Sequence, residues 1–117
     1  MELKAMPWHE SVIEAELAKT KVFINASSVG LDSDETPVAA ELIPPDLLVL
    51  DLVYRPRETR LLRDAKAAGA QATMNGELML LHQGAAAFEL WTGQAAPLEL
   101  MREQLDAAAA SAEPSGP

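Results

Sequence analysis

The 117-residue chain contains no cysteine, which excludes a disulfide framework and any thiolate metal site. Histidine is nearly as scarce. His9 and His82 stand alone, without an H-x-x-x-H spacing or companion carboxylates, so no metal centre is expected. Aromatic residues are only 4%, and nine Lys plus Arg face eighteen Asp plus Glu, for a net charge of −9 and a pI near 4.5. That balance argues against nucleic acid and anionic membranes as partners, because both demand a cationic surface. No apolar run reaches the ~18 residues of a membrane span, and the N-terminus lacks a secretory signal pattern. The six glycines (30, 69, 76, 84, 93 and 116) fit neither G-x-G-x-x-G nor a Walker-type phosphate loop. No G-x-S-x-G elbow is present either. The expectation is a soluble, acidic, cytoplasmic chain with no self-evident reactive group.

What is present is an apolar half: 49% of residues are hydrophobic, carried by Ala, Leu and Val, enough for one small core. Glu2–Met6 is expected as a short strand, stopped by Pro7. Trp8–Ala18 has the spacing of an amphipathic helix, with His9 or Ser11 near its start. Val22–Asn25 is a β-branched and aromatic run. Asp32–Pro37 is a polar loop, and a helical turn is expected over Val38–Leu42 before Pro44-Pro45. Leu47–Val53 is almost continuously apolar, as in a strand buried on both faces of a parallel sheet. Its one carboxylate, Asp51, is either a buried acid or an acceptor for nearby backbone N–H groups. Thr59 suits the N-cap of a helix over Arg60–Ala68, closed by Gly69. Five of the nine basic residues (Arg55, Arg57, Arg60, Arg63, Lys66) crowd this stretch, and the spacing of the last three describes a solvated helix face. Gln71–Met74 is expected as a brief strand, Glu77–Thr92 as a helix, and a last helix starts at Pro97 and runs to about Ala110.

Strand, helix, strand, helix is the grammar of a parallel α/β sheet, whose ligands gather at the carboxyl ends of its strands. There stand Asn25-Ala26-Ser27, Tyr54 and Asn75-Gly76. The helix from Glu77 starts at the same edge and brings Met79 and Gln83, one turn apart on one face, toward it. His82 points about 100° away from Gln83 around that helix.

Three segments carry a resemblance. Asn25-Ala-Ser-Ser-Val-Gly-Leu31, Asp51-Leu-Val-Tyr-Arg-Pro56 with Thr59, and Gly76-x-x-Met79-x-x-x-Gln83-Gly-Ala-Ala-Ala-Phe88-x-Leu-Trp91-x-Gly93 match the shikimate dehydrogenase family in order and spacing. The resemblance runs from about Leu3 to Leu105. It implies an α/β fold: the C-terminal half of a Rossmann-like parallel sheet flanked by helices, with terminal helices. Residues 1–110 would form this partial cofactor domain and 111–117 a flexible tail.

The resemblance further implies NADPH-dependent reduction of 3-dehydroshikimate to shikimate, a step toward aromatic amino acids. Tyr54 would bond the substrate carboxylate and Gln83 a substrate hydroxyl. Leu52 and Gly76 would meet the nicotinamide end of NADP through their backbones, Met79 would pack on its ring, and Ser27 would lie near its ribose–phosphate arm. Leu31 and Lys21 depart from the family's commoner residues without touching these contacts.

Family members are more than twice as long. Their catalytic Lys–Asp pair, substrate-binding serines, glycine-rich loop and basic 2′-phosphate motif have no counterpart among Met1–Pro117, and no lysine here matches the catalytic one. The chain is therefore expected to be inactive alone, as removing a general acid–base typically costs about 10²–10⁴ in rate. The resemblance also leaves β-strand neighbours missing, so an exposed sheet edge is expected to drive homo-oligomerisation or aggregation. Two other readings stand beside this one: a non-catalytic oligomerising or partner-binding module, and one half of a split enzyme.

Overall fold

A computed structural model of the chain describes residues 1–112. In chain order these form α1 (Glu10–Leu17), β1 (Val22–Asn25), a 3-10 turn (Ala40–Leu42), β2 (Leu48–Asp51), α2 (Arg60–Ala67), β3 (Ala72–Met74), α3 (Glu77–Thr92) and α4 (Leu98–Ala112). The strands make one parallel sheet in the order β1-β2-β3. The α/β class expected from the alternation is thus the class observed.

Local chemistry explains the boundaries. The Nδ1 atom of His9 accepts the Ser11 N–H, so His9 is the N-cap and α1 begins two residues after Trp8. The Thr59 hydroxyl accepts the Leu62 N–H at 3.3 Å and starts α2 as expected. Ala68 is the cap at the other end, and Gly69 behind it takes φ +93°, the left-handed turn that releases the chain toward β3. Ser111 and Ala112 belong to α4, and the remainder of the expected tail, 113–117, lies outside the described residues.

The expected strand at Glu2–Met6 does not form. Residues 1–9 have no regular structure and are exposed, tied down by the Trp8 indole N–H donating to the Pro37 carbonyl at 3.2 Å. A strand needs a ladder to satisfy its backbone, and among the described residues no strand pairs with this segment, so it stays solvated.

The core lies on one face of the sheet. Leu17, Val38, Ile43, Leu47, Val49, Leu61, Leu62 and Ala65 pack together there, with Ile13 and Phe23 at the margin. The opposite face is bare, contrary to the expectation that β2 is buried on both sides. Ile24, Leu50 and Met74 stand in one register row and Val22, Leu48 and Ala72 in the next. Ile24 and Met74 are each 51% exposed. The alternation of side chains puts Val49 and Asp51 inward and leaves Leu48 outward.

Beyond the sheet, α3 and α4 form a helical hairpin that packs on itself far more than on the α/β unit. Its outer surface shows Leu90 and Trp91, 82% and 80% exposed. The radius of gyration is 16.6 Å, above the roughly 13 Å of a compact chain this long. No helix among the described residues is long and apolar enough to cross a membrane.

Candidate functional site

The parallel register brings Asn25 beside Asp51 at the carboxyl ends of β1 and β2. Asp51 is wholly buried, and three donors converge on it. Asn25 Nδ2 and the Val53 N–H donate to Oδ1, each at 3.0 Å, and the Thr59 hydroxyl donates to Oδ2 at 2.7 Å. Asn25 is occupied on every side. Its amide also donates to the Val29 carbonyl, and its oxygen accepts both the N–H and the hydroxyl of Ser27, the latter at 2.6 Å. The Ser27 hydroxyl accepts the Val29 N–H in turn. Of the two sequence readings of Asp51, the backbone acceptor is realised in part, through Val53, and two side chains complete its coordination.

Beyond Asp51 the Leu52 N–H still donates to the Asn25 carbonyl at 3.0 Å, and the chain bends from Arg55 to Glu58. The Leu52 carbonyl comes so close to Gly76 that a Cβ there would sit 1.9 Å from the oxygen, and the Gly76 N–H donates to the Val53 carbonyl at 3.2 Å. Gly76 is therefore a contact glycine: it lets two backbones touch where α3 begins. Asn75 secures this junction, its oxygen accepting the Glu77 N–H and its amide donating to the Arg57 carbonyl.

Tyr54, two residues beyond Leu52, lines a cavity of about 680 Å³. The cavity lies between the Asp32–Asp34 loop, the Tyr54–Arg57 turn, and Leu80, Leu105 and Ala109 of the hairpin. Its three arginines are all engaged. Arg55 grips both oxygens of Asp32 at 2.6 Å, Arg63 reaches Asp34, and Arg57 spans Glu77 and Asp106. The Arg55 hydrogen bonds hold the Asp32 carboxyl below its usual range, and the two carboxylates on Arg57 raise its guanidinium. With cations and carboxylates matched, the cavity is electrostatically quiet.

Of the residues singled out in the sequence, Leu52 and Gly76 are brought into contact, with Tyr54 two residues beyond Leu52. Gln83 is not brought into the cavity of Tyr54. It lines a shallower groove of about 490 Å³ between α3 and α4, with Leu100, Met101 and Gln104, and its amide donates to the Leu80 carbonyl of its own helix. The two hollows adjoin, sharing Leu80 and Leu105 as a wall. Met79 is open to solvent at the start of α3. Ser27 is exposed, yet its hydroxyl proton is committed to Asn25. The bridging role of Arg57 had no sequence signal beyond its place in a basic cluster, because its carboxylate partners stand 20 and 49 positions away. The helical basic triplet behaves as expected: Arg60, Arg63 and Lys66 are exposed and paired with Asp64, Asp34 and Glu58. Among the described residues no cluster of His, Asp and Glu is arranged to hold a metal.

Residues 76–105 match the family model of the shikimate 5'-dehydrogenase C-terminal domain. The shikimate dehydrogenase (NADP(+)) of Natronomonas pharaonis is 58% identical over 84 residues, 72% of this chain and 31% of that protein. Shikimate 5-dehydrogenase from Thermus thermophilus, solved with NADP(H) and shikimate, superposes with a TM-score of 0.71 at 41% identity, over 86% of this chain and 36% of that one. Quinate dehydrogenase from Corynebacterium glutamicum, solved with NAD, gives 0.73 at 33% identity, over 84% and 35%. The chain thus spans about a third of the length of the relatives it matches.

Proposed function

We propose that this match to the C-terminal portion of the shikimate dehydrogenase family carries function with it: the chain supplies part of a site that reduces 3-dehydroshikimate reversibly to shikimate with NADPH, in the cytoplasm. The contact between the Leu52 carbonyl and Gly76 supports this most directly. It joins the second and third matching segments into one backbone surface, open beside the exposed Met79.

These groups fit the nicotinamide end of the cofactor. Leu52 and Gly76 would meet it through backbone atoms and Met79 would cover its ring. The cofactor, when bound, supplies or takes up hydride. The fit is poorer at the other end. The Asn25–Leu31 loop has no Lys or Arg, and Ser27 has no free proton to donate to a phosphate oxygen. Tyr54 would bind the substrate carboxylate through its phenol. Gln83 would reach a substrate hydroxyl after releasing the Leu80 carbonyl, an exchange of one neutral hydrogen bond for another at a cost of about 1 kcal/mol or less. Among the described residues, none is proposed as a general acid–base.

Titration of the ¹⁵N-labelled chain with NADP⁺ and shikimate tests the reading. Amide signals of Leu52, Tyr54, Gly76 and Gln83 should move in saturable fashion, while shikimate-dependent reduction of NADP⁺ stays undetectable for the chain alone. Absence of any shift at ligand concentrations in the millimolar range would reject it.

The bare sheet face around Ile24, Leu48 and Met74 favours a second reading, in which the chain self-associates or docks on another polypeptide through this side of the sheet and the β1 edge. In a split enzyme, adding the polypeptide equivalent to the other two-thirds of the relatives would restore turnover; a purely structural module would bind without doing so.

A further inference from the structure

We propose that Asp51, which touches neither proposed ligand, is the positioning residue that locks two loops of the site to each other. One loop is Asn25–Val29, proposed to pass the ribose–phosphate arm. The other is the Leu52–Tyr54 segment, proposed to hold the nicotinamide end and the substrate carboxylate. The inference rests on that reading for its ligands, but its geometry is independent of it.

Asp51 is 0% exposed at the end of β2, in register with Asn25. Through Oδ1 it holds the Val53 N–H, in the strand exit whose Leu52 carbonyl lies against Gly76 and which leads to Tyr54 at its cavity. Through the same oxygen it holds the Asn25 amide, and Asn25 holds Ser27 by two bonds and Val29 by one. Through Oδ2 it is braced by Thr59, whose hydroxyl is itself fixed by the first turn of α2. Every neighbour is a donor and both carboxylate oxygens are used. An amide in its place would face a donor with its own NH₂ in either orientation, toward Thr59 or toward Asn25 and Val53. A buried network of this kind holds one arrangement when satisfied and loses it when a partner is missing. Removing the brace at Thr59 should therefore be felt at Ser27, which Thr59 does not hydrogen-bond.

The test uses the whole 117-residue chain. Thr59→Val keeps the branched shape but removes the hydroxyl; Thr59→Ser keeps the hydroxyl and removes the methyl. Without ligand, Thr59→Val should shift the amides of Ser27, Val29, Val53 and Gly76 and speed their hydrogen exchange, and Thr59→Ser should restore all four. Leu17→Ala, a core truncation in α1, should lower stability without moving them. With ligand, Thr59→Val and Asp51→Asn should weaken NADP⁺ and shikimate together, by about tenfold each. Perturbation confined to α2, or rescue failing with Thr59→Ser, would overturn the proposal. If the parent chain binds neither ligand, the functional reading falls, and the ligand-free spectra still decide this one.

Discussion

Replacing Gly76 by alanine tests the contact on which the site is built. The new Cβ would lie 1.9 Å from the Leu52 oxygen and 2.5 Å from its carbonyl carbon. Both are backbone atoms, so relief requires β2's exit and the start of α3 to separate by at least ~1 Å. Overpacking of this kind costs roughly 1–3 kcal/mol, and the absence of a flexible side chain to yield places it near the upper figure. An opposing gain of about 0.4–1 kcal/mol comes from reducing the freedom of the unfolded chain. The balance is a loss of about 2 kcal/mol, a large part of the ~5–15 kcal/mol that holds a typical domain. With a urea slope near 1 kcal/mol per molar for so small a protein, the unfolding midpoint should fall by about 2 M. Gly84→Ala is the matched control. There the nearest atom is the Met101 methyl at 3.5 Å, an ordinary contact with a flexible side chain. In the interior of α3, alanine should raise stability by roughly 0.5–1 kcal/mol. A Gly76→Ala midpoint equal to or above that of the parent chain, read by circular dichroism, would refute the reasoning.

Arg57→Gln removes the bridge from the Tyr54 turn to Glu77 and Asp106. As the Arg57 and Asp106 side chains are 37% and 60% exposed, the global stability should change by less than ~1 kcal/mol. Hydrogen exchange should instead quicken around Asp106 and in the first turn of α3, and ~1 M salt should produce the same pattern in the parent chain. Acid should act in one direction. Asp32 and Glu58 have lowered pKa values through Arg55 and Lys66, so their ion pairs contribute fully above the ordinary carboxylate range and that contribution is lost as the pH falls through the lowered values. Urea midpoints between about pH 6 and about pH 2 should fall toward acid, by a small margin because both pairs face water, and Asp32→Asn should flatten the curve. Finally, Ile24→Glu puts a charge in the middle of the bare sheet face; light scattering after size exclusion should show a parent chain larger than a monomer and a variant that is smaller. A parent chain that elutes as a monomer at all concentrations would count against self-association.

Much of this protein could be read along the chain. The β-branched run at Val22, the apolar run into Asp51, the Thr59 cap and the glycine after α2 all act within three or four residues, where periodicity, capping and turn chemistry operate. They sufficed for the element order from Glu10 onward, the parallel sheet and the strand ends at which the candidate residues stand. What no local signal held was the pairing of distant groups. Asn25 meets Asp51 only because β1 and β2 align in that register. Gly76 owes its identity to the Leu52 carbonyl, not to its own φ. Arg57 acquires its partners when α4 folds back beside the Tyr54 turn. Tyr54 and Gln83 lie in adjoining hollows because Leu80 and Leu105 come between them. The short N-terminal run has strand composition, but strands are stabilised by neighbours and its composition names none. Local energetics chose the pieces. Register and packing, which depend on all the pieces at once, chose which side chains share a pocket.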